Sequence, residues 1–255
     1  MILLYLADEI HAARVLAALA TSGSELHLAR TWTEVQALST TPECAVLVGR
    51  HGRDLHLDRV QQRWPAVPVV QVCNTRPEPR AGSSAHVGWA ACVEREIASA
   101  VATARIRGYL AEVGERIRHA EHLPTRLRQA LSHACGDGCP TSVGEVAGHL
   151  RCTPRVLSHH WRNAMPAEAG VRLEDFMGWI LLLHAGAQRA AGAKWSSISE
   201  GLGTHQHTLT RTAQRLADTS LRELPMQGVA ATKARFERRV VRHLVRQTLV
   251  SVSAD

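Results

Sequence analysis

The chain has 255 residues, of which 45% are hydrophobic, and 30 lysines and arginines against 23 aspartates and glutamates give it a formal net charge of +7. This length allows two domains with their own cores, and the composition excludes a disordered chain. The apolar start meets Asp8 and Glu9 with no basic lead-in, which argues against a signal peptide. The longest apolar run, near 176–187, is too short to span a bilayer. We therefore expect a cytoplasmic protein with no membrane partner, whose six cysteines are free thiols.

Short Val- and Leu-rich runs alternate with helical patterns over the first hundred residues. Strands are predicted over 2–6, 25–29, 44–48 and 67–72, with helices over 10–20, 33–38 and 55–64. This alternation is typical of a parallel sheet that is covered on both faces. The Pro- and Gly-rich segment 74–84 then predicts a loop or a lost sheet edge.

This order of elements resembles the response-regulator receiver domain, which has a flavodoxin-like parallel sheet. The resemblance places the family's magnesium-binding acid pair at Ala7-Asp8, its phosphorylated aspartate at Gly49 or Arg50, and its hydroxyl position at Cys73. Asp54 lies too far along the chain to take over as acceptor. The resemblance therefore implies a pseudo-receiver domain that is not phosphorylated.

A long helical pattern follows from Gly88 to Ala120, with apolar residues every three to five positions. Two interpretations stay open. In the first, part of this helix completes the N-terminal domain and the rest connects the two halves of the chain or pairs with a second chain. In the second, the whole helix belongs to the core of a domain.

A first helix-turn-helix pattern spans Thr141 to Asn163. The S-x-x-E sequence from Ser142 to Glu145 has the form of a capping box, which predicts a helix from Ser142 to about Leu150. After a connection of three residues, Thr153 can cap a second helix that begins at Pro154. The buried side of this second helix is predicted to hold Val156, Leu157, His160 and Trp161, and its outer side Arg155, Ser158, His159 and Arg162.

The same pattern recurs from Lys194 to Ala217. Trp195, Ile198 and Leu202 form an apolar stripe, and Gly203 permits a left-handed turn. The next helix is predicted to bury Leu209, Ala213 and Leu216, and to expose His207, Thr208, Arg211, Gln214 and Arg215. A helix over 172–191, about 30 Å long, would join the two patterns, and its apolar run 179–183 predicts burial between them.

The stretch from Leu123 to Leu224 resembles the AraC/XylS-type DNA-binding domain, in which a long helix bridges two helix-turn-helix subdomains. The segments that carry the resemblance are 142–150, 153–157, 179–185, 198–203 and 209–211. Four positions depart from the family: Arg151 and Asp218 replace glycines, Leu181 replaces an arginine, and Thr204 replaces an aromatic residue. The resemblance implies DNA contacts from the following residues: Thr153, Arg155, Ser158, His159, Arg162, Gln206, His207, Thr208, Arg211, Gln214 and Arg215.

The basic charge is concentrated in the half that holds these patterns. Residues 121–255 contain 17 lysines and arginines against 11 acids, whereas residues 1–120 contain 13 against 12. A basic domain beside a nearly neutral one favours a polyanion partner, and the scarcity of aromatic residues favours duplex DNA over single-stranded RNA.

We therefore expect a multidomain protein: an α/β receiver-like domain over 1–105, a linker helix over 106–122, an all-α tandem helix-turn-helix domain over 123–225 and an amphipathic helix over 226–255. The expected function is a transcription regulator of the bacterial cytosol and nucleoid, with duplex DNA and RNA polymerase as candidate partners and a homodimer through the N-terminal domain or helix 88–120. The alternative is an interaction adaptor, or a nonspecific DNA-binding protein, that keeps the fold without sequence recognition. No enzyme motif, cofactor or metal is expected.

The sequence allows more than one interpretation of two further patterns, the C-terminal amphipathic stretch and a group of histidines and cysteines. The amphipathic stretch from Val229 to Val250 could pack on its own domain, contact phosphates or form a dimer. Five histidines and cysteines could instead form a zinc site, although their spacing is irregular: His133, Cys135, Cys139, His149 and Cys152.

Overall fold

The computed structural model describes residues 1–9, 11–20, 24–50, 56–74, 83–88, 94–136 and 142–245. The chain divides into an N-terminal unit, Met1–Gly108 with Ala191–Ala193, and a C-terminal unit, Tyr109–Ala190 with Lys194–Asp255. Within these described segments, no helix has the length and apolar character that crossing a membrane requires.

Five parallel strands form the sheet of the N-terminal unit, in the order β2-β1-β3-β4-β5. Strands β1, β3 and β4 are buried along their whole length, as expected for central strands with helices on both faces. Helix α1 carries Val15 and Leu19 into the core on one face, and α2 and α3 carry Val35 and Val60 into the core on the other. The bounds are β1 Ile2–Leu6, α1 Ala12–Ala20, β2 Leu26–Ala29, α2 Trp32–Gln36, β3 Cys44–Val48, α3 Leu57–Arg63, β4 Val69–Cys73 and β5 Ser83–Gly88.

The fifth strand corrects the sequence-based prediction at the edge of the sheet. Segment 74–84 was expected to be a loop or a lost edge, and Gly88 to begin a helix. Instead β5 pairs with β4, with Val70 opposite Ala85 and Val72 opposite Val87, and Gly88 ends the strand. A partly covered edge strand lacks the continuous apolar run by which the inner strands were recognised. Residues 75–82 of the predicted loop lie outside the described residues.

Helix α4, Glu94–Arg118, runs without a break across residue 105. Its first half joins the sheet core through Ile97, Val101 and Ala104, as one interpretation of this stretch predicted. Four apolar residues of its second half are also buried within the single chain: Ile106, Leu110, Val113 and Ile117. The described apolar residues of this helix are therefore buried within the single chain, and pairing with a second chain stays an expectation.

The C-terminal unit is helical and is built around α8. Every residue of α8 from Asp175 to Ala187 is buried, which confirms the burial predicted for 179–183. Helices α5, α6 and α7 pack on α8, and so do α9 to α12. The bounds are α5 Thr125–Cys135, α6 Val143–His149, α7 Pro154–Ala164, α8 Leu173–Ala190, α9 Trp195–Gly201, α10 Gln206–Thr212, α11 Leu224–Gln227, α12 Val229–Phe236 and α13 Arg242–Val245, with π-helical segments at Ala213–Ala217 and Glu237–Val241.

The C-terminal helical segment packs on its own unit, which was one of three interpretations of its pattern. The ring centroid of Phe236 lies 5.6 Å from that of Phe176 and 6.2 Å from that of Trp179. Arg235 and Arg239 donate hydrogen bonds to the backbone oxygens of Ala217 and Leu216, where the π-helical extension of α10 ends. Tyr109 and Arg116 of α4 both bind the carboxylate of Glu237. Residues 246–250 of the predicted helix lie outside the described residues.

We predict that Phe236→Ala lowers the free energy of unfolding of the C-terminal unit by about 3–5 kcal/mol, because it opens a cavity among buried aromatic rings. Met226→Ala is the control, because Met226 is 81% exposed and its truncation should change stability by less than about 0.5 kcal/mol. Urea unfolding followed by circular dichroism measures both changes. Equal stability of the two variants would contradict the packing of α12 described above.

Candidate nucleic-acid interface

Two helix pairs of the C-terminal unit share the same geometry at a fixed offset of 52 residues. Helices α6 and α9 have seven residues each and begin at Val143 and Trp195, and helices α7 and α10 begin at Pro154 and Gln206. A third helix completes each set, since α5 packs on α6 and α7 while α8 packs on α9 and α10. We call α6–α7 the first helix pair and α9–α10 the second helix pair.

The turns of the two helix pairs form the same backbone hydrogen bonds at equivalent positions. The N–H of Cys152 donates to the oxygen of Ala147 at 2.9 Å, and the N–H of Thr204 donates to that of Ser199 at 2.9 Å. A second bond that spans three residues instead of five accompanies each. The Arg151 N–H donates to the Gly148 oxygen at 3.1 Å, and the Gly203 N–H donates to the Glu200 oxygen at 3.0 Å. These are the paired bonds of the Schellman motif, which requires a left-handed residue after the helix.

Arg151 takes that left-handed conformation with a φ of 51°, close to the 61° of Gly203. Asp218, the other position where the resemblance expected glycine, has a φ of 50°. Both departures from the family pattern therefore keep the backbone geometry of a glycine, at the cost of strain for a residue with a Cβ atom.

The caps of the two pairs differ. Ser142 accepts a hydrogen bond from the N–H of Glu145 at 3.2 Å, as the capping-box pattern predicted. Thr153 occupies the N-cap position before Pro154, but its hydroxyl makes no capping bond. In the second pair Lys194 and His205 stand at the N-caps, also without side-chain capping bonds.

Helix α7 presents a polar and cationic face to solvent. Arg155, His159 and Arg162 are exposed, whereas Leu157 and Trp161 are buried, as predicted. Val156 and His160 were expected to be buried but are only partly so. They lie one position before Leu157 and Trp161, which places them at the edge of the buried stripe rather than at its centre. Of the remaining predicted contacts in this pair, Thr153 is exposed and Ser158 is partly buried.

Helix α10 and its π-helical extension, Ala213–Ala217, expose most of the residues that were predicted to lie on the outer side. Gln206, His207, Arg211 and Gln214 are exposed and Thr208 is partly buried, while Leu209, Ala213 and Leu216 face inward as predicted. The rings of His205 and His207 stack with centroids 5.6 Å apart.

Arg215 has a structural role that sequence reasoning missed. Its side chain is 51% exposed, yet its guanidinium pairs with the carboxylate of Asp175, whose side chain is 9% exposed. The same carboxylate accepts a hydrogen bond from the N–H of Arg172 at 2.8 Å. Arg215 thus fastens α10 to the start of α8, and no local signal could have revealed a partner 40 positions away.

In the N-terminal unit, the ends of β1 and β3 carry the residues that the receiver resemblance singled out. The guanidinium of Arg50 lies 3.8 Å from the carboxylate of Asp8, so a cation stands at the expected position of the phosphoacceptor. Cys73 is buried at the end of β4, and burial raises the pKa of its thiol. Asp54 lies outside the described residues.

The described histidines and cysteines that were considered as an alternative zinc site are not arranged around one point. The rings of His133 and His149 stack face to face with centroids 3.8 Å apart, so the nitrogen lone pairs do not converge on one ion. Burial, and then the neighbouring His149, hold the pKa of His133 below its usual value. Burial raises the pKa of the Cys135 thiol to about 12. Cys139 lies outside the described residues, and within those residues no group of three or more His, Cys, Asp or Glu side chains could hold a metal.

Comparison of the chain with protein-family models, with curated proteins and with solved structures found no match.

We predict opposite effects for glycine and its replacement at the two matching turns. Arg151→Gly should raise the free energy of unfolding by up to about 1 kcal/mol by removing left-handed strain, and Gly203→Ala should lower it by about 1 kcal/mol by introducing that strain. Gly201→Ala is the control, because an added Cβ there has open space and Gly201 is helical; it should stabilise by about 0.5–1 kcal/mol. Urea unfolding checks all three, and a stabilising Gly203→Ala would show that the second turn is not left-handed in solution.

Proposed function

We propose that this protein is a transcription regulator that binds duplex DNA sequence-specifically through two helix-turn-helix elements, as the resemblance to AraC/XylS-type regulators implies. The observation that supports the proposal is the repetition of one helix–turn–helix geometry at an offset of 52 residues, from Val143 to Trp195 and from Pro154 to Gln206. On this proposal, α7 and α10 are the recognition helices.

The chemistry of the exposed faces supports this role. Arginine can bind the O6 and N7 atoms of guanine with two hydrogen bonds, and glutamine can bind adenine in the same bidentate way. The exposed side chains on α7 and α10 provide these groups, with Arg155 and Arg162 on the first helix, and Gln206, Arg211 and Gln214 on the second. Further polar side chains for DNA contacts on the same helices are those of Thr153, Ser158, His159, His207 and Thr208. We assign to Arg215 a role in positioning the helix rather than in base contact.

The spacing of the helix pairs suits neighbouring major-groove segments. Helix α8 has 18 residues and is therefore about 27 Å long, and successive major grooves on one side of a duplex lie about 34 Å apart. Because α8 is buried on all sides, it holds the two pairs at a fixed separation, so one chain can bind two half-sites without a dimer.

For the N-terminal unit we propose a pseudo-receiver role, in regulation or dimerisation. The strand order 2-1-3-4-5 is that of flavodoxin-like folds, whose ligand site lies where β1 and β3 diverge. The ion pair between Asp8 and Arg50 sits at the ends of those two strands. Arg50 places a guanidinium where receiver domains carry the phosphorylated aspartate, which supports regulation by contacts rather than by phosphorylation. The proposed location is the bacterial cytoplasm, with RNA polymerase as a further partner.

Selection from a random pool of duplex DNA with the full chain tests the proposal. Enrichment of a defined motif supports a sequence-specific regulator. Salt-sensitive binding without enrichment would indicate a nonspecific DNA-binding protein, and absence of binding would leave the adaptor function, in which the helix pairs dock a protein.

We predict that Arg155→Ala and Arg162→Ala each weaken binding to the selected duplex by about 1–3 kcal/mol, because each removes a base or phosphate contact from α7. Arg126→Ala is the matched control, since Arg126 is exposed on α5 of the same unit but lies on neither recognition helix. Fluorescence anisotropy gives the affinities and thermal melting verifies the fold. Unchanged affinity in both α7 variants would disprove the assignment of α7.

We also predict that the selected site holds two short blocks centred about 10 base pairs apart. Insertion of about five base pairs between them turns the second block to the far side of the duplex. Affinity should then fall toward that of a single helix pair, because the buried α8 cannot follow the rotation. Arg211→Ala should weaken binding to the intact site and have little effect on the extended one. If the insertion is harmless while Arg211→Ala still weakens binding, α8 does not act as a rigid bridge.

A further inference from the structure

A cavity of about 650 Å³ lies within the C-terminal unit, outside the proposed base-reading faces. Its walls come from the segment after α7, from α8, from the end of the α10 extension and from the C-terminal helical segment. Trp179 is one of the residues that line the cavity. The side chains that matter for its chemistry are Arg172, Arg215, Arg238, Arg239 and His243.

The charge of this cavity is predominantly positive. Four arginines line it against two carboxylates, those of Glu168 and Asp175. The Asp175 carboxylate is already occupied by Arg215 and by the N–H of Arg172, so it does not neutralise the remaining guanidinium groups.

Two of the guanidinium groups are available for a ligand. The side chains of Arg172 and Arg238 are exposed, and neither makes a hydrogen bond or an ion pair with any residue in the described part of the chain. Arg239 uses one N–H on the oxygen of Leu216, which leaves further donors on the same group. His243 adds another donor at the same wall.

We propose that this cavity binds a small molecule carrying a pair of phosphate groups. Guanidinium groups match phosphate oxygens with two parallel hydrogen bonds, and several converge here on one space. The volume falls within the range of small-molecule sites, about 300–1,000 Å³, so there is room for an organic part besides the phosphates. This inference goes beyond the proposed function, since it assigns a ligand to a site that no DNA base contact uses.

Such a ligand would connect elements that are distant in sequence. Arg172 precedes α8 and follows the first helix pair, whereas Arg238 and Arg239 belong to the C-terminal segment, which is fastened to the end of α10. A bound diphosphate would therefore tie the first helix pair, α8 and the second helix pair together.

Isothermal titration of the full chain with inorganic pyrophosphate, at constant ionic strength, tests the proposal. We expect one saturable site, and a fall in affinity of about 10- to 100-fold in the double variant Arg172→Gln with Arg238→Gln, through loss of charge-assisted hydrogen bonds. Arg222→Gln with Arg242→Gln is the matched control, because it also removes two exposed charges from the C-terminal unit but neither residue lines the cavity. Thermal melting shows whether each variant folds.

Three results would overturn the proposal: no saturable binding, an equal loss in the control variant, or displacement of pyrophosphate by duplex DNA together with equal weakening of DNA binding in the cavity variant. The last result would assign the cavity to a phosphate of the DNA backbone. A chain that binds pyrophosphate as expected but selects no DNA motif would uphold this inference while contradicting the proposed function.

Discussion

The burial of α8 on every side is the constraint on which the C-terminal unit depends. An 18-residue helix with so many apolar side chains is stable only when other helices cover it, and helices from both pairs and from the C-terminal segment do so. Gly178 shows how closely they approach, since a Cβ atom there would lie 2.8 Å from the Cδ1 atom of Leu216. The buried Asp175 then requires a cationic partner, and Arg215 provides it.

This packing explains why the two helix pairs expose charged and polar side chains. Each pair turns its apolar stripe toward its own third helix, so the residues left outside α7 and α10 are charged and polar ones. The proposed DNA-binding faces are thus the surfaces that the core does not use, and a rigid α8 is what would let both act on one duplex. A ligand in the positively charged cavity would act on the same assembly near the start of α8, through Arg172 and Arg238.

In the N-terminal unit, charged side chains lie beyond the ends of the central strands. Strands β1 and β3 carry no charged side chain, and Asp8 and Arg50 form an ion pair just beyond their ends. A carboxylate paired with arginine is less available to a metal ion than an unpaired one. For this reason we favour a regulatory role that depends on contacts with other molecules rather than on phosphoryl transfer.

The sequence by itself determined the features that depend on neighbours within about four residues: the inner strands, the Ser142 cap, Pro154 at the start of α7, and the buried Leu157 and Leu209. Periodicity and capping are local, so they can be recognised without a fold. Only the tertiary structure decided the edge strand β5 and the partners of Arg50 and Arg215. The sequence had predicted both helix pairs from their apolar periodicity, and the structure added their exact offset of 52 residues and their matching turns. The matched segments 142–164 and 194–216 share only two identical residues, both leucines. Matching backbone hydrogen bonds preserve the geometry of the two turns, and a backbone bond does not require a particular side chain.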